Sequence, residues 1–138
     1  MTRLIRFGVS MEERLIKKFD NFIKSKNYSN RSEAIRDMIR IKLVENEWAS
    51  FGEVACGIVM VYDHHKRELV NKMLDIQHDY SNIIISSQHV HLDHDNCLEI
   101  VAVKGNVKEV EKLSDKLSSI KGVKHCSIAK TAVGAVFE

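Results

Sequence analysis

Hydrophobic and polar positions alternate at the start of the chain. Ile5, Phe7 and Val9 interleave with Arg6, Gly8 and Ser10, the period of a half-buried strand. Such a strand is too short to be stable alone. The period then lengthens. Met11, Leu15, Phe19, Phe22 and Ile23 fall at helical spacing and predict a helix to about Lys26. Ser10 and Glu13 have the spacing of a capping box at its start. Asn27-Tyr28-Ser29 breaks it. Asn30, with Glu33 three residues on, predicts a second helix start, and Ala34, Ile35, Met38, Ile39 and Leu43 form its apolar stripe to about Trp48.

Strand, helix and helix within residues 1–49 leave one strand with half its backbone groups unpaired. Pairing with the same strand of a second chain gives an antiparallel ribbon and a twofold dimer. The outer ribbon face carries Arg6, Gly8 and Ser10. A two-stranded ribbon fits the DNA major groove, and Arg reads guanine edges. The helix start at Asn30-Arg31-Ser32 can turn backbone N–H groups to a phosphate. The plainer alternative is a dimerisation module whose ribbon faces solvent.

Residues 50–138 have a different rhythm. Strands are expected over 52–62, 83–92, 97–104 and 123–130, and helices over 66–80 and 106–120. The order βαββαβ is that of the ferredoxin-like split βαβ, so the chain is α+β. Val54, Ile58, Val59, Met60 and Val61 make the first strand apolar. Leu69, Val70, Met73, Leu74 and Ile76 stripe the first helix; Val107, Val110, Leu113, Leu117 and Ile120 stripe the second. Asp93-His94-Asp95-Asn96 is a turn between strands. The join to the first module, Ala49-Ser50-Phe51-Gly52, is short.

Charge sharpens the division. Residues 1–50 hold 11 Lys+Arg against 7 Asp+Glu, whereas residues 51–138 hold 10 against 12. All seven His lie between His64 and His125. A basic, His-free segment thus precedes a slightly acidic, His-bearing one, which suits a polyanion partner and a metal or proton respectively. Three Cys in 138 residues exclude a disulfide-stapled scaffold. No apolar run approaches the roughly 20 residues of a membrane span. The run Met1-Thr2-Arg3-Leu4-Ile5-Arg6 mixes charge and apolar residues and is no signal peptide. A cytoplasmic protein without membrane contact is expected.

The chemistry concentrates in His78, His89-Val90-His91 and Cys97. His89 and His91 stand two apart on a strand and share a face. With a loop from Leu92 to Asn96, Cys97 lies opposite His91 and Glu99 opposite His89, where the carboxylate can accept an imidazole N–H. Val90, Leu92, Leu98 and Ile100 then take the other face, expected to be core. Two His and a thiol on one face favour a metal site over surface imidazoles and a filler Cys. His78 lies near the end of helix 66–80, beside the start of the next strand. His89 is six residues up that strand, about 20 Å away at ~3.3 Å per residue. His78 therefore reaches the site of a neighbouring subunit, and two kinds of twofold contact make a homotetramer, a dimer of dimers. Three imidazoles and a thiolate suit Ni(II), Cu(II) or Zn(II), and the residues do not choose among them.

The run Asn30-Arg31-Ser32-Glu33-Ala34-Ile35-Arg36-Asp37 resembles the second-helix start of ribbon–helix–helix DNA-binding domains. From Arg3 to about Lys130 the chain resembles the nickel-responsive transcriptional regulators (NikR), whose regulatory domain has an ACT-type fold. His78, His89, His91 and Cys97 match that family's square-planar nickel ligands. Leu98-Glu99-Ile100, Val103-Lys104-Gly105 and Gly122-Val123-Lys124-His125 look like the same regulatory domain. The resemblance implies one Ni(II) per subunit, no organic cofactor, palindromic double-stranded operator DNA, and repression of nickel-uptake genes. It implies base reading at Arg6, Gly8 and Ser10, although Gly8 replaces a hydroxyl residue and has no side-chain donor. Lys66 and Arg67 match a basic pair that touches DNA phosphate. Glu33 and Asp37 match carboxylates that hold a cation between the domains, a monovalent ion in this reading.

Other functions remain in view. Cys97 with His89 or His91 could serve an enzyme as nucleophile and base, but no oxyanion-hole motif or catalytic carboxylate pair accompanies them. An ACT domain sensing a small metabolite would leave the His-His-Cys row without a use. His64, His65, His94 and His125 are expected at the surface or in turns, with weak binding of excess metal the one role open to His64-His65. Cys56 and Cys126 are expected as core thiols, and Asp63, Asp75, Asp79 and Asp95 as unconverged surface carboxylates.

Overall fold

The computed structural model describes residues 2–50 and 52–138; Met1, at the head of the N-terminal run, and Phe51, in the expected join, lie outside them. The chain forms two compact units, residues 1–41 and 42–138.

In the first unit the strand expected over residues 5–10 joins no ladder. Ile5, Phe7 and Val9 stay 78%, 71% and 62% exposed, so nothing in this chain covers the apolar row. A lone strand has no backbone partner to hold it, so the ribbon half of the expected ribbon–helix–helix arrangement is not formed within one chain. Helix α1 runs Glu13–Ser25. Its N-cap is Glu12, which makes no side-chain cap bond. The capping box expected at Ser10 is therefore wrong by two residues: Glu13 is the first helical residue, not the third, and cannot reach back to close the box. The helix ends as its sequence indicates. Asn27 takes φ 63, and the Tyr28 N–H donates to the Ile23 carbonyl at 3.0 Å. This is the left-handed stop that Asn tolerates better than most residues.

Helix α2 runs Arg31–Ala49. Its cap is the expected one: Asn30 Oδ1 accepts the Glu33 N–H at 2.9 Å. Arg31 forks onto Asp20 of α1 at 2.9 and 2.8 Å and holds that carboxyl below its usual range. Ile23 and Ala34 are buried between the helices. Many other apolar side chains of this unit, including Leu15, Phe22, Met38 and Ile39, are exposed.

The second unit takes in the last turns of α2. Trp48 is buried and donates its Nε1–H to the Thr131 carbonyl at 2.8 Å, with the Lys130 ammonium 4.9 Å from its ring. The remaining elements are β1 (Glu53–Asp63), α3 (Arg67–Asp79), β2 (Ile84–His91), β3 (Asn96–Asn106), α4 (Val107–Ser118) and β4 (Val123–Ala132), followed by a 3₁₀ turn, Gly134–Phe137. The βαββαβ order is as expected, and the sheet runs β2–β3–β1–β4 with every neighbour antiparallel. Among the described residues no helix is long and apolar enough to cross a membrane.

One sheet face carries the core. Val54, Cys56, Ile58, Met60 and Tyr62 of β1 pair with Val103, Val101, Glu99 and Cys97 on the same face, against Leu69 and Met73 of α3 and Val110, Leu113 and Leu117 of α4. The expectation that Leu98 and Ile100 face the core is reversed. Both are half-buried on the opposite face, while Cys97 and Glu99 are buried; Leu92 is exposed and Val90 half-buried. The cause lies in β3. Its Cys97 and Glu99 continue the parity of Val101 and Val103, and alternation forces all four to one side. Gly105 permits close packing at the far end, because a Cβ there would stand 2.7 Å from Ile83 Cγ2.

This burial pattern makes a direct test. Leu113→Ala removes a fully buried side chain under the sheet and should cost about 2–5 kcal/mol of unfolding free energy. Leu92→Ala, at an exposed position, should stay within about 0.5 kcal/mol. Denaturant titrations of the two variants giving equal midpoints would contradict the assigned core.

Candidate metal centre

Strand β2 is a sheet edge, and the helices covering the core face leave its last residues open. His91 pairs with Cys97 and His89 with Glu99, the register that a loop from Leu92 to Asn96 predicts. Asp93 holds that loop. Its carboxylate accepts from the backbone N–H groups of Asp95 (3.0 Å) and Asn96 (2.9 Å) and from the Asn96 side chain, and these bonds keep it below the usual carboxylate range. Cys97 is fully buried, and its Sγ is 3.4 Å from His91 Nδ1. The His89 and His91 rings meet edge to face with centroids 5.2 Å apart.

Beneath them sits a buried polar cluster. Glu99 is the one buried charged residue among those described, at 5% exposure. The Tyr62 hydroxyl donates to Glu99 Oε2 at 3.1 Å. Burial first, then the Glu99 carboxylate, pushes the Tyr62 hydroxyl upward and keeps it protonated. His89 Nδ1 is 3.0 Å from the same Glu99 oxygen and 2.9 Å from the Tyr62 oxygen. Since the Tyr proton is already given to Glu99, Nδ1 carries the imidazole proton and donates. The His89 Nε2 lone pair is then free. This is the second partner that orients a metal-binding imidazole. Tyr62 is a part of the site that the sequence pattern does not single out; its parity with Met60 and its pairing with Cys97 are the signals that point to it.

Burial raises the Cys97 thiol above its ordinary value, and Glu99, Asp93 and Asp63 push the same way. The free thiol is therefore protonated near neutral pH, and ligation displaces its proton.

Two groups of side chains among those described bring ligand atoms within 4.8 Å of one another: His64, His91 and Cys97, and His65, His94 and Asp95. Imidazole nitrogen with thiolate sulfur fits a borderline ion such as Ni(II), Cu(II) or Zn(II), and not a hard, oxygen-preferring one. Contrary to the surface position expected of it, His64 is half-buried, with its ring 5.3 Å from that of His91. It reaches there because β1 ends at Asp63, paired with Asn96 at the mouth of the β2–β3 hairpin. Asp95, expected to stay apart, stands 3.0 Å from His94 Nδ1. His78 belongs to neither group and is exposed near the end of α3. His125 is exposed on β4. Cys56 is a core thiol, pushed up to about 11 by burial, and Cys126 is half-buried against the same core.

The other singled-out positions lie as follows. Arg6, Gly8 and Ser10 are exposed in the unladdered segment. Asn30 and Arg31 are engaged within their own unit by the cap and by Asp20, and Ser32 is exposed beside them. Glu33 pairs with Arg36, and Asp37 accepts from the Tyr28 hydroxyl. Lys66 and Arg67 are exposed at the start of α3, lining a basic hollow with Lys72 and Lys121.

Residues 55–131 match the family described as the NikR C terminal nickel binding domain. The chain belongs to this family. Its relatives extend over nearly the full length. A protein of Syntrophus aciditrophicus is 57% identical over 136 residues, covering 99% of both chains. One of Chlorobium phaeobacteroides is 58% identical over 129 residues (94% of this chain, 96% of the relative). One of Thermococcus kodakarensis is 52% identical over 133 residues, 96% of each. All three carry the name "Putative nickel-responsive regulator". A solved structure of an uncharacterized protein from Thermotoga maritima matches with a TM-score of 0.52 at 15% identity, over 56% of this chain and 96% of that one, a likeness of fold alone.

Within the NikR domain the Glu99 carboxylate has a measurable task. Glu99→Gln keeps the shape and removes the anionic acceptor behind His89. Metal affinity should fall about 10–100-fold, as for other partners of metal-bound imidazoles. Equilibrium dialysis against Ni(II) gives the number; an affinity within twofold of the parent would mean that Glu99 serves folding alone.

Proposed function

We propose that the chain is a nickel-responsive transcriptional regulator that binds palindromic operator DNA when Ni(II) is bound and represses nickel-uptake genes. The row of His89, His91 and Cys97 along one strand pair, inside a matched nickel-binding domain, is the observation that carries this reading. His78 of a second subunit completes the donor set, one ion per chain, in a homotetramer. Bound there, Ni(II) supplies a cross-link between chains; no catalytic residue is assigned.

The uncovered apolar row of Ile5, Phe7 and Val9 supports a second chain as the partner of this segment. In that ribbon–helix–helix dimer, Arg6, Gly8 and Ser10 face the major groove. Phosphates meet the α2 start at Asn30-Arg31-Ser32, and meet Lys66 and Arg67. Glu33 and Asp37 hold a monovalent cation between the domains. The same donor set would also accept Cu(II) or Zn(II), since imidazole and thiolate suit all three ions. The physical link is reciprocal. If the chain arrangement that completes the donor set also binds DNA better, nickel raises DNA affinity and DNA raises nickel affinity by the same factor.

A titration of palindromic DNA from upstream of the neighbouring genes, with and without Ni(II), tests the reading. Affinity should rise with nickel, and Cys97→Ala should abolish the rise. Arg6→Ala should remove discrimination between operator and random DNA while nickel stoichiometry stays intact. Each bidentate Arg–guanine pair contributes about 1–3 kcal/mol of that discrimination. Equal affinity with and without the ion would refute nickel responsiveness.

The inter-subunit ligand has its own test. His78→Ala chains mixed with Cys97→Ala chains should recover part of the thiolate-to-nickel absorption band that neither variant shows alone. In a mixed interface one site regains His78 from one chain and His89, His91 and Cys97 from the other. No recovery would place His78 in its own chain's site or outside the ligand set.

A further inference from the structure

The mouth of the β2–β3 hairpin carries more imidazole than the ligand row uses. Beyond His89 and His91, three rings follow one another toward solvent. His64 lies 5.3 Å from His91, His65 lies 4.0 Å from His64, and His94 lies 5.4 Å from His65. They come from two separate loops, one after β1 and one between β2 and β3. Both loops are pinned by a carboxylate. Asp63 Oδ1 accepts the His65 N–H at 2.9 Å, and Asp93 Oδ1 accepts the Asp95 N–H at 3.0 Å.

The rings are also oriented. His64 Nε2 and His65 Nε2 lie 2.8 and 3.2 Å from the same carbonyl oxygen, that of His94. A carbonyl only accepts, so each Nε2 carries the proton and each Nδ1 keeps its lone pair. His94 Nδ1 faces Asp95 Oδ1 at 3.0 Å, which leaves its Nε2 unprotonated by the same logic. His65 Nε2 stands 3.7 Å from that Asp95 oxygen. Ligand atoms at about 2.1 Å from one ion stand about 3.0–3.4 Å apart, so small ring rotations bring this set onto a single ion.

We propose that His65, His94 and Asp95 form a second transition-metal site, separate from the row of His89, His91 and Cys97. Two imidazoles and a carboxylate take a borderline divalent ion, Ni(II), Cu(II) or Zn(II), with water in the remaining positions. All three side chains are exposed and no thiolate is present, so the site binds more weakly and exchanges faster than the sulfur-containing one. Its ion has no sulfur-to-metal absorption. His64, adjacent to both groups, places the two sites side by side at one opening. The proposal does not rest on the regulatory reading, because it needs neither DNA nor a second chain.

Ni(II) titration of the full chain by calorimetry, with absorption followed in parallel, tests it. The parent should take up a tight equivalent with the thiolate band and then a weaker equivalent without it. His65→Ala and His94→Ala should each lose the weaker equivalent and keep the band at full height. His125→Ala, at an exposed histidine on β4, should keep both. Cys97→Ala should lose the band and retain the weaker equivalent, which separates a failure of the main site from a failure of this one. Weaker uptake that is undiminished in both His65→Ala and His94→Ala, or absent from the parent, overturns the second site. Circular dichroism of the exposed-loop variants should match the parent and exclude misfolding as the cause of any loss.

Discussion

The register of the β2–β3 pair is the constraint on which the rest depends. Side chains alternate with a period of two, so a slip of one residue would send His89, His91, Cys97 and Glu99 to the other sheet face. Two features resist that slip. Asp93 closes the turn through hydrogen bonds to Asp95 and Asn96, and Glu99 anchors the next rung through Tyr62 and His89. The first acts through loop geometry and the second through burial. Breaking either partner of a buried carboxylate cluster leaves a desolvated charge without its bonds. The site's order is therefore built into the fold's core rather than added at its surface.

That coupling explains why a strongly polar row can sit on the buried side of a sheet. The same face that holds Val101, Val103 and Ile58 continues into Cys97 and Glu99. Toward the edge strand the helices stop covering it, and His89 and His91 emerge into partial solvent. Each donor thus stands at a different depth: the thiol fully buried, the imidazoles progressively exposed. Burial holds the thiol protonated while free, and the open imidazoles remain accessible to an ion. The gradient comes from one strand pair crossing the rim of one core.

Much of this arrangement is legible in the sequence. Helix and strand periods give the βαββαβ order, and a loop from Leu92 to Asn96 is enough to put His91 opposite Cys97. The buried face is harder to read, because Leu98 and Ile100 are more hydrophobic than Cys97 and Glu99; only the parity with Val101 and Val103 corrects that. His64 escapes notice for a related reason. Its position depends on β1 ending opposite Asn96, a contact between strands more than thirty residues apart in sequence. The capping box at Ser10 fails because a matching pair of residue types does not fix where the helix begins. The N-terminal strand is a different case: its pattern concerns contacts that one chain cannot supply to itself.

The two units therefore reach order by different routes. Residues 42–138 bury Trp48, Tyr62, Leu113 and their neighbours around one sheet and satisfy their backbone by their own ladders. Residues 2–41 bury few apolar side chains and leave an alternating apolar segment unpaired. A segment of that kind gains order only when a surface with matching backbone groups and apolar cover meets it, and an identical segment related by a twofold axis supplies both at once. On this view association is part of folding for the first unit, whereas for the second it acts on a structure already complete. Metal ligands carried by the complete unit are then able to bias the association of preformed domains, which is the physical basis for coupling an ion in one half of the chain to the assembly of the other.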